Sequence, residues 1–248
     1  MAVVTGAASG IGAATARALA AEGAAVVVAD IDTAAVEKVA AELAAGGARA
    51  LGATADVADE RQIEHLIAQT TERFGGVDLF VNNAGISPKH DGKKHRVWEM
   101  AVGEWDRVMA VNIRGAFLCS RLAVPSMIAR GGGAIVNVAS MAAKTGSMLT
   151  GSHYVSSKAG LVGFTKVLAR EVAEHGIRVN GVAPGRIDTP MIRDVPPETN
   201  KEYERTIPLK RLGRPEDVAD GILFLLSDAS AYVTGHVLDI NGGLGMFY

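Results

Sequence analysis

Short runs rich in β-branched residues alternate with longer segments of helical period along the chain, and that alternation admits few folds. A strand followed by a helix that returns to a parallel neighbour builds a parallel sheet covered by helices on both faces. Strands are predicted at Val3–Val4, Ala25–Ala29, Ala48–Thr54, Leu79–Asn82, Ala134–Ala139, Arg178–Val182 and Val237–Ile240. Helices are predicted near 11–22, 33–45, 60–74, 103–129, 153–174 and 216–227. Gly46-Gly47 behind the second helix and Pro215 at the head of the last mark their boundaries. Two irregular stretches, Ser87–Val97 and Gly185–Tyr203, each follow a strand. Ligands of open α/β sheets bind outside the carboxyl ends of strands, so these stretches are expected to border a site. No repeat, low-complexity tract or linker interrupts the rhythm.

Composition narrows the function classes. With 248 residues the chain is long enough to bury a core without disulfide or metal, and its 48% hydrophobic but only 5% aromatic content requires Ala, Val and Gly to bring elements close together. Lys+Arg 25 against Asp+Glu 27 leaves a net charge of -2, which lacks the electrostatic footprint of a nucleic-acid binder. Uncharged runs stop short of a membrane span: Met1–Ala16 ends at Arg17 and contains Gly6, Gly10 and Gly12. The same stretch lacks the basic start and apolar centre of a signal peptide, so a reducing cytoplasmic setting is expected. No metal site is expected, because the 6 histidines include no His-Glu-x-x-His and the single cysteine, Cys119, cannot build a zinc site. Cys119 reads most simply as a small core residue in the apolar run Ala116–Cys119.

Thr5-Gly6-Ala7-Ala8-Ser9-Gly10-Ile11-Gly12 stands between the first strand and the first helix. Glycines there let the backbone approach a diphosphate, and the helix start supplies amide donors and a favourable dipole. The same glycines also serve tight packing. Asp30 ends the second strand, 18 residues after Gly12. A carboxylate there accepts hydrogen bonds from ribose hydroxyls and repels a 2′-phosphate; its plainer role is a turn or N-cap, which Asp32 fills equally well. Tyr154 and Lys158 lie four apart on a predicted helix and share a face, which on a surface would be only a cation over a ring. Ser140 at the end of the fifth strand and Asn112 in the preceding helix give the pair company. His153 precedes Tyr154, but adjacent helical residues point about 100° apart, which favours a pocket-rim or packing role.

Together these motifs resemble the classical short-chain dehydrogenase/reductase family over essentially the full chain. Thr5–Gly12 matches its cofactor motif, Asn82-Asn83-Ala84-Gly85 its strand-four motif, Asn112, Ser140, Tyr154 and Lys158 its catalytic tetrad, and Pro184-Gly185 with Thr189 the segment at the nicotinamide end. The resemblance implies one Rossmann-type doubly wound α/β catalytic domain over 1–248, with a seven-stranded parallel sheet and a substrate lid at about 186–206. It implies NAD as cofactor. Gly6, Ser9, Gly10, Ile11 and Gly12 would meet the diphosphate side, Asp30 and Ile31 the adenosine ribose, and Asp56 and Val57 the adenine. Asn82, Ala84 and Gly85 would line the middle, Tyr154 and Lys158 the nicotinamide ribose, and Pro184, Gly185, Ile187 and Thr189 the carboxamide end. Asp56 also reads as a plain turn residue. Tyr154 would be the general acid/base, its pKa lowered by positive charge from Lys158 and oxidised nicotinamide. Ser140 would hold the substrate oxygen and Asn112 a water.

The implied reaction is hydride transfer between NAD(H) and a secondary alcohol or ketone, a small-molecule substrate. The enzymatic rival is an NADPH-linked 3-oxoacyl-acyl carrier protein reductase, which Gly213-Arg214-Pro215-Glu216-Asp217 also resembles; Asp30 and the lack of a basic residue in Ala7-Ala8-Ser9 argue against it. A cofactor-binding sensor without turnover is disfavoured by the complete tetrad. Homotetramers are usual in the family, and the small-residue faces Ala110–Ala123 and Ala159–Ala173 either pack across subunits or only against the sheet. Pocket shape is expected to depend on Met141, Ser147, Met148 and the lid. The apolar tail Met246-Phe247-Tyr248 is expected to dock on a neighbour or fray. Lys89, His90, Lys93, Lys94, His95 and Arg96 crowd one loop, which attracts an anionic substrate or is merely solvated.

Overall fold

The computed structural model describes residues 1–147, 149–193 and 195–246; Met148, Phe247 and Tyr248, three of the positions considered above, lie outside these. All seven predicted strands form and pair in parallel. In chain order the elements are β1 (Ala2–Thr5), α1 (Gly10–Ala21), β2 (Val26–Asp30), α2 (Thr33–Ala45), β3 (Ala50–Thr54), α3 (Glu60–Phe74) and β4 (Leu79–Asn82). They continue with α4 (Val102–Met109), α5 (Gly115–Ala129), β5 (Gly133–Val138), α6 (Ala142–Thr145), α7 (Ser152–Val172), β6 (Ile177–Pro184), α8 (Pro197–Thr206), α9 (Pro215–Leu226) and β7 (Val237–Ile240). The sheet order β3-β2-β1-β4-β5-β6-β7 places the topological switch between β1 and β4, where a doubly wound sheet opens its ligand crevice.

The strands are valine-rich because both faces are covered. Alternate residues serve opposite layers: Val4, Val26 and Val28 pack with Leu19 of α1, Val36 of α2 and Ile222 of α9, while Val3 and Val27 pack with Ile63 of α3, Met127 of α5 and Leu168 of α7. Cys119 belongs to the second layer and is fully buried.

Three features differ from the sequence expectation. The long helix predicted over 103–129 is divided by a π turn at Ala110–Arg114 that carries Asn112. A short helix, α6, follows Ser140, and α8 forms inside the stretch predicted as irregular. Proline at its start and Glu198 in its first turn favour α8, but it buries no residue, so it has no apolar stripe to read. The run Val102–Ala129 is long and apolar enough, by length and composition, to cross a membrane. Half of its most apolar window is buried within the protein, and Val108, Val111, Leu118, Cys119 and Met127 face the interior.

A polar network lies inside the second layer. Asn82 Nδ2 donates to Asn137 Oδ1 at 2.8 Å and to Ser120 Oγ at 3.2 Å, and Asn137 Nδ2 donates to Thr165 Oγ1 at 2.9 Å. All four residues are buried, and they join β4, β5, α5 and α7 side chain to side chain. Removing one partner leaves buried donors and acceptors unpaired, at roughly 1–3 kcal/mol. Asn137→Ala is therefore expected to lower the urea unfolding free energy by at least that amount, and a midpoint equal to wild type would show the network to be dispensable.

Candidate active site

The turn from β1 to α1 is shaped by backbone proximity. A Cβ on Gly12 would lie 2.2 Å from Gly6 O, and one on Gly6, whose φ is +63°, would lie 2.7 Å from Ala84 Cα. Asn83 locks the approach by donating Nδ2 to Thr5 O and Gly6 O, both at 2.9 Å. The N-cap of α1, Ser9, makes no side-chain cap bond, and the first turn has no acidic residue. Its amide groups are thus suited to an anion such as a diphosphate.

This turn forms one wall of a cleft of about 520 Å³. Of the residues expected from the sequence, Gly6, Ser9, Gly10, Ile11, Asp30, Ile31, Asp56, Val57, Ala84, Gly85, Ser140, Tyr154, Lys158, Pro184, Gly185, Ile187 and Thr189 line it. Gly12, Asn82 and Asn112 do not. Gly12 is packed under Gly6, and Asn82 belongs to the interior network, so Asn83 is the motif's asparagine on the cleft. Asn112 sits behind Gly85: a Cβ there would lie 3.2 Å from Lys158 Nζ and 3.4 Å from Asn112 Oδ1.

At the far end of the cleft, Asp30 accepts from Ala8 N–H at 3.2 Å and from Asp32 N–H at 3.3 Å, while Asp32 itself caps α2 through Ala35 N–H. Ile31 is 60% exposed beside it, an apolar surface suited to a flat ring. Asp56 accepts from Ala58 N–H as a turn residue and also pairs with Arg107 at 3.2 Å. Arg17 is engaged by Glu42 on α2, and neither it nor Lys38 lines the cleft.

At the other end, α7 carries Tyr154 and Lys158 on one face, with Lys158 Nζ 5.8 Å from the Tyr154 ring centroid. Lys158 is 3% exposed and donates to Val138 O at 2.7 Å; burial pulls its pKa down to about 8. The Tyr154 phenol is pushed above its ordinary value by burial, partly offset by a hydrogen bond with Ser140. The expected lowering draws on oxidised nicotinamide as well as Lys158; in the protein alone desolvation dominates, and it weakens the lysine's charge as well. Ser140 Oγ also accepts from Ala142 N–H at the head of α6. The amide of Asn112 is held by Ile86 N–H at 2.8 Å, Ile86 O at 3.0 Å and Ser157 Oγ at 3.1 Å, a set that ties the π turn to α7.

Sequence spacing did not announce a carboxylate surrounded by histidines. Glu104 on α4 meets His153 Nε2 at 2.9 Å and His90 Nε2 at 2.6 Å, and His95 Nδ1 stands 3.8 Å away. The ligand atoms of His90, His95 and Glu104 come within 4.8 Å of one another, a grouping that no local motif encodes. Desolvation pushes the Glu104 carboxyl up, but the bonds from His153 and His90 outweigh it and the net shift is downward. His153 is fully buried and accepts Tyr154 N–H at Nδ1, so it packs at the start of α7 instead of entering the cleft. Of the basic loop, Lys89 lines the cleft; Lys93 and Lys94 do not, and Lys94 donates to Ser147 O. Ile86, Met141, Ser147, Leu149, Met191, Ile192, Val195, Arg186 and Tyr203 are among the residues that line it beyond Ser140 and Tyr154.

Over residues 6–245 the chain matches the family model described as enoyl-(acyl carrier protein) reductase. It is 44% identical over 243 residues to cis-4-hydroxycyclohexanecarboxylate dehydrogenase of Sinomonas cyclohexanicum, covering 98% of this chain and 95% of that protein. It is 40% identical over 242 residues to the 3-oxoacyl-[acyl-carrier-protein] reductase of Thermotoga maritima, covering 98% and 96%. The structure of a 3-oxoacyl-[acyl-carrier protein] reductase with bound NAD from Brucella melitensis superimposes with a TM-score of 0.93 at 44% identity, over 99% of this chain and 91% of that one. Fold, cleft and near full-length similarity coincide, and the chain belongs to the short-chain dehydrogenase/reductase family.

Proposed function

We propose that the chain is an oxidoreductase that transfers a hydride between NAD(H) and a secondary alcohol or ketone, with Tyr154 as general acid/base. The observation that carries this reading is the convergence of Ser140 and the phenol of Tyr154 on one cleft, with Lys158 buried beside the tyrosine ring. In oxidation the phenolate takes the hydroxyl proton of the alcohol; in reduction the phenol returns one to the carbonyl oxygen. Ser140 holds that oxygen by hydrogen bond, and Lys158, when charged, favours the phenolate. Asn112 acts as a positioning residue through Ile86 and Ser157. The nicotinamide, when bound, accepts or donates the hydride at the substrate carbon. The glycine turn suits the diphosphate, and Asp30 with Ile31 suits the adenosine end.

Residues 1–248 act as one catalytic domain, with 186–206 as its lid, on a small-molecule substrate in the cytoplasm. A homotetramer is supported by the exposed apolar side chains Phe117 and Val167 on α5 and α7, 46% and 55% exposed. The second reading, a 3-oxoacyl-acyl carrier protein reductase, is favoured by the Thermotoga and Brucella relatives. Because the Brucella reductase was solved with NAD, cofactor choice alone does not separate the two, and a panel of cyclic alcohols against 3-oxoacyl thioesters does.

Tyr154→Phe is expected to lower kcat by at least about 10²-fold while NADH binding, followed by fluorescence titration, stays within a few-fold of wild type. Near-normal turnover in the folded variant would overturn the assignment. The raised phenol pKa keeps Tyr154 protonated at neutral pH, the form reduction needs. Alcohol oxidation should therefore climb as pH rises into the alkaline range while ketone reduction does not, and parallel profiles in the two directions would contradict this.

Asp30 governs cofactor preference. Like charges 4 Å apart at an effective dielectric of about 20 repel by on the order of 4 kcal/mol before screening. Of the cations around the adenosine end, Arg17 holds Glu42, Arg107 holds Asp56, and Lys38 does not line the cleft. The expected outcome is a higher kcat/KM with NAD(H) than with NADP(H), with Asp30→Ala narrowing the ratio mainly by weakening NAD. A wild-type preference for NADP(H) would reject it.

A further inference from the structure

Arg186 lines the same cleft as Ser140 and Tyr154, and the alcohol chemistry does not use it. It follows Pro184-Gly185 at the end of β6, where its backbone is fixed: Arg186 O accepts Gly213 N–H at 3.0 Å, and Gly213 O accepts Asp188 N–H at 2.8 Å. The side chain reaches α8 of the lid. There Nε and Nη2 both donate to Asn200 Oδ1, at 2.8 and 2.5 Å, and the guanidinium carbon lies 5.4 Å from the centre of the Tyr203 ring.

Both of these partners are neutral. Nη1 and the second Nη2 proton meet no acceptor among the described residues, and none of their carboxylates pairs with this guanidinium. Several other arginines differ. Arg17, Arg107, Arg121, Arg130 and Arg211 each sit on a carboxylate, and Arg178 is held by the carbonyls at the end of α9. Burial pulls the Arg186 pKa below its ordinary value, as expected of a charge short of compensation. A half-buried cation left with open donors in a ligand cleft is complementary to an anion, and the planar fork fits a carboxylate with two parallel bonds. The neighbouring wall of Met191, Ile192 and Val195 is apolar, which suits a hydrocarbon skeleton between that anion and the reacting carbon.

We propose that Arg186 is the anchor for a carboxylate carried by the substrate, so that the enzyme acts on hydroxy acids or keto acids whose secondary alcohol or ketone meets Tyr154. This rests on the dehydrogenase reading above. Asn200 and Tyr203 hold the guanidinium in place before substrate arrives, and they couple the anchor to the lid.

The test compares cis-4-hydroxycyclohexanecarboxylate with its neutral carboxamide as substrates, with NAD, in wild type, Arg186→Met and Arg186→Lys. Calorimetric binding of cyclohexanecarboxylate in the presence of NADH is measured on the same proteins. A charge-assisted contact of this kind predicts that Arg186→Met lowers the carboxylate-to-carboxamide ratio of kcat/KM by roughly 10- to 100-fold, chiefly through KM, and weakens cyclohexanecarboxylate by a similar factor. Arg186→Lys keeps the charge without the fork and should recover part of both. If Arg186 is only a latch for the lid, Arg186→Met and Arg186→Lys will depress both substrates together with the ratio and the affinity unchanged, and the proposal is overturned. Should wild type oxidise no secondary alcohol, the dehydrogenase reading fails, whereas the anchor stands or falls on whether cyclohexanecarboxylate binding depends on Arg186.

Discussion

The contact of Gly12 with the Gly6 carbonyl is the constraint on which the site depends. No side chain larger than hydrogen fits there, since even a Cβ would lie 2.2 Å from that oxygen. The contact lets α1 begin directly over the carboxyl end of β1, and Asn83 fastens the same turn to the end of β4. The crevice that the strand order opens between β1 and β4 is thereby given a wall of unpaired amides. The low aromatic content belongs to the same design: small residues keep helices and sheet near enough for backbone to form the site.

Opposite this turn the site is held by polar groups inside the protein. The asparagines of β4 and β5 are joined beneath the sheet, and Asn112 on the π turn fixes Ile86 and Ser157. Lys158 meets the carbonyl at the end of β5. Each bond joins elements distant in sequence, so Ser140, Tyr154 and Lys158 are oriented by tertiary contacts more than by their own helices and turns. The histidine-bound Glu104 adds a brace between α4 and the start of α7.

The parallel sheet was legible because valine-rich runs separated by amphipathic segments have few other solutions, and every predicted strand forms. Most of the residues picked out by the family resemblance line the cleft, while Gly12, Asn82 and Asn112 pack behind its wall. In Asn82-Asn83, the strand's alternation turns the first side chain inward and leaves the second at the turn. Helix α8 escaped because it buries nothing, and the histidine cluster because its members come from a loop and two helices. The direction of the Tyr154 shift depends on how much water the fold excludes, and spacing along the chain carries no measure of that.

The burial of Cys119 has a chemical consequence of its own. It is the only thiol in the chain, lies on the buried face of α5 in the second core layer, and has its pKa pushed up to about 12 by desolvation. At neutral pH the folded protein therefore presents almost no thiolate to electrophiles or oxidants, since both accessibility and ionisation are withheld at once. Alkylation of this one sulfur accordingly requires the second core layer to open, and the rate at which it proceeds reports that opening.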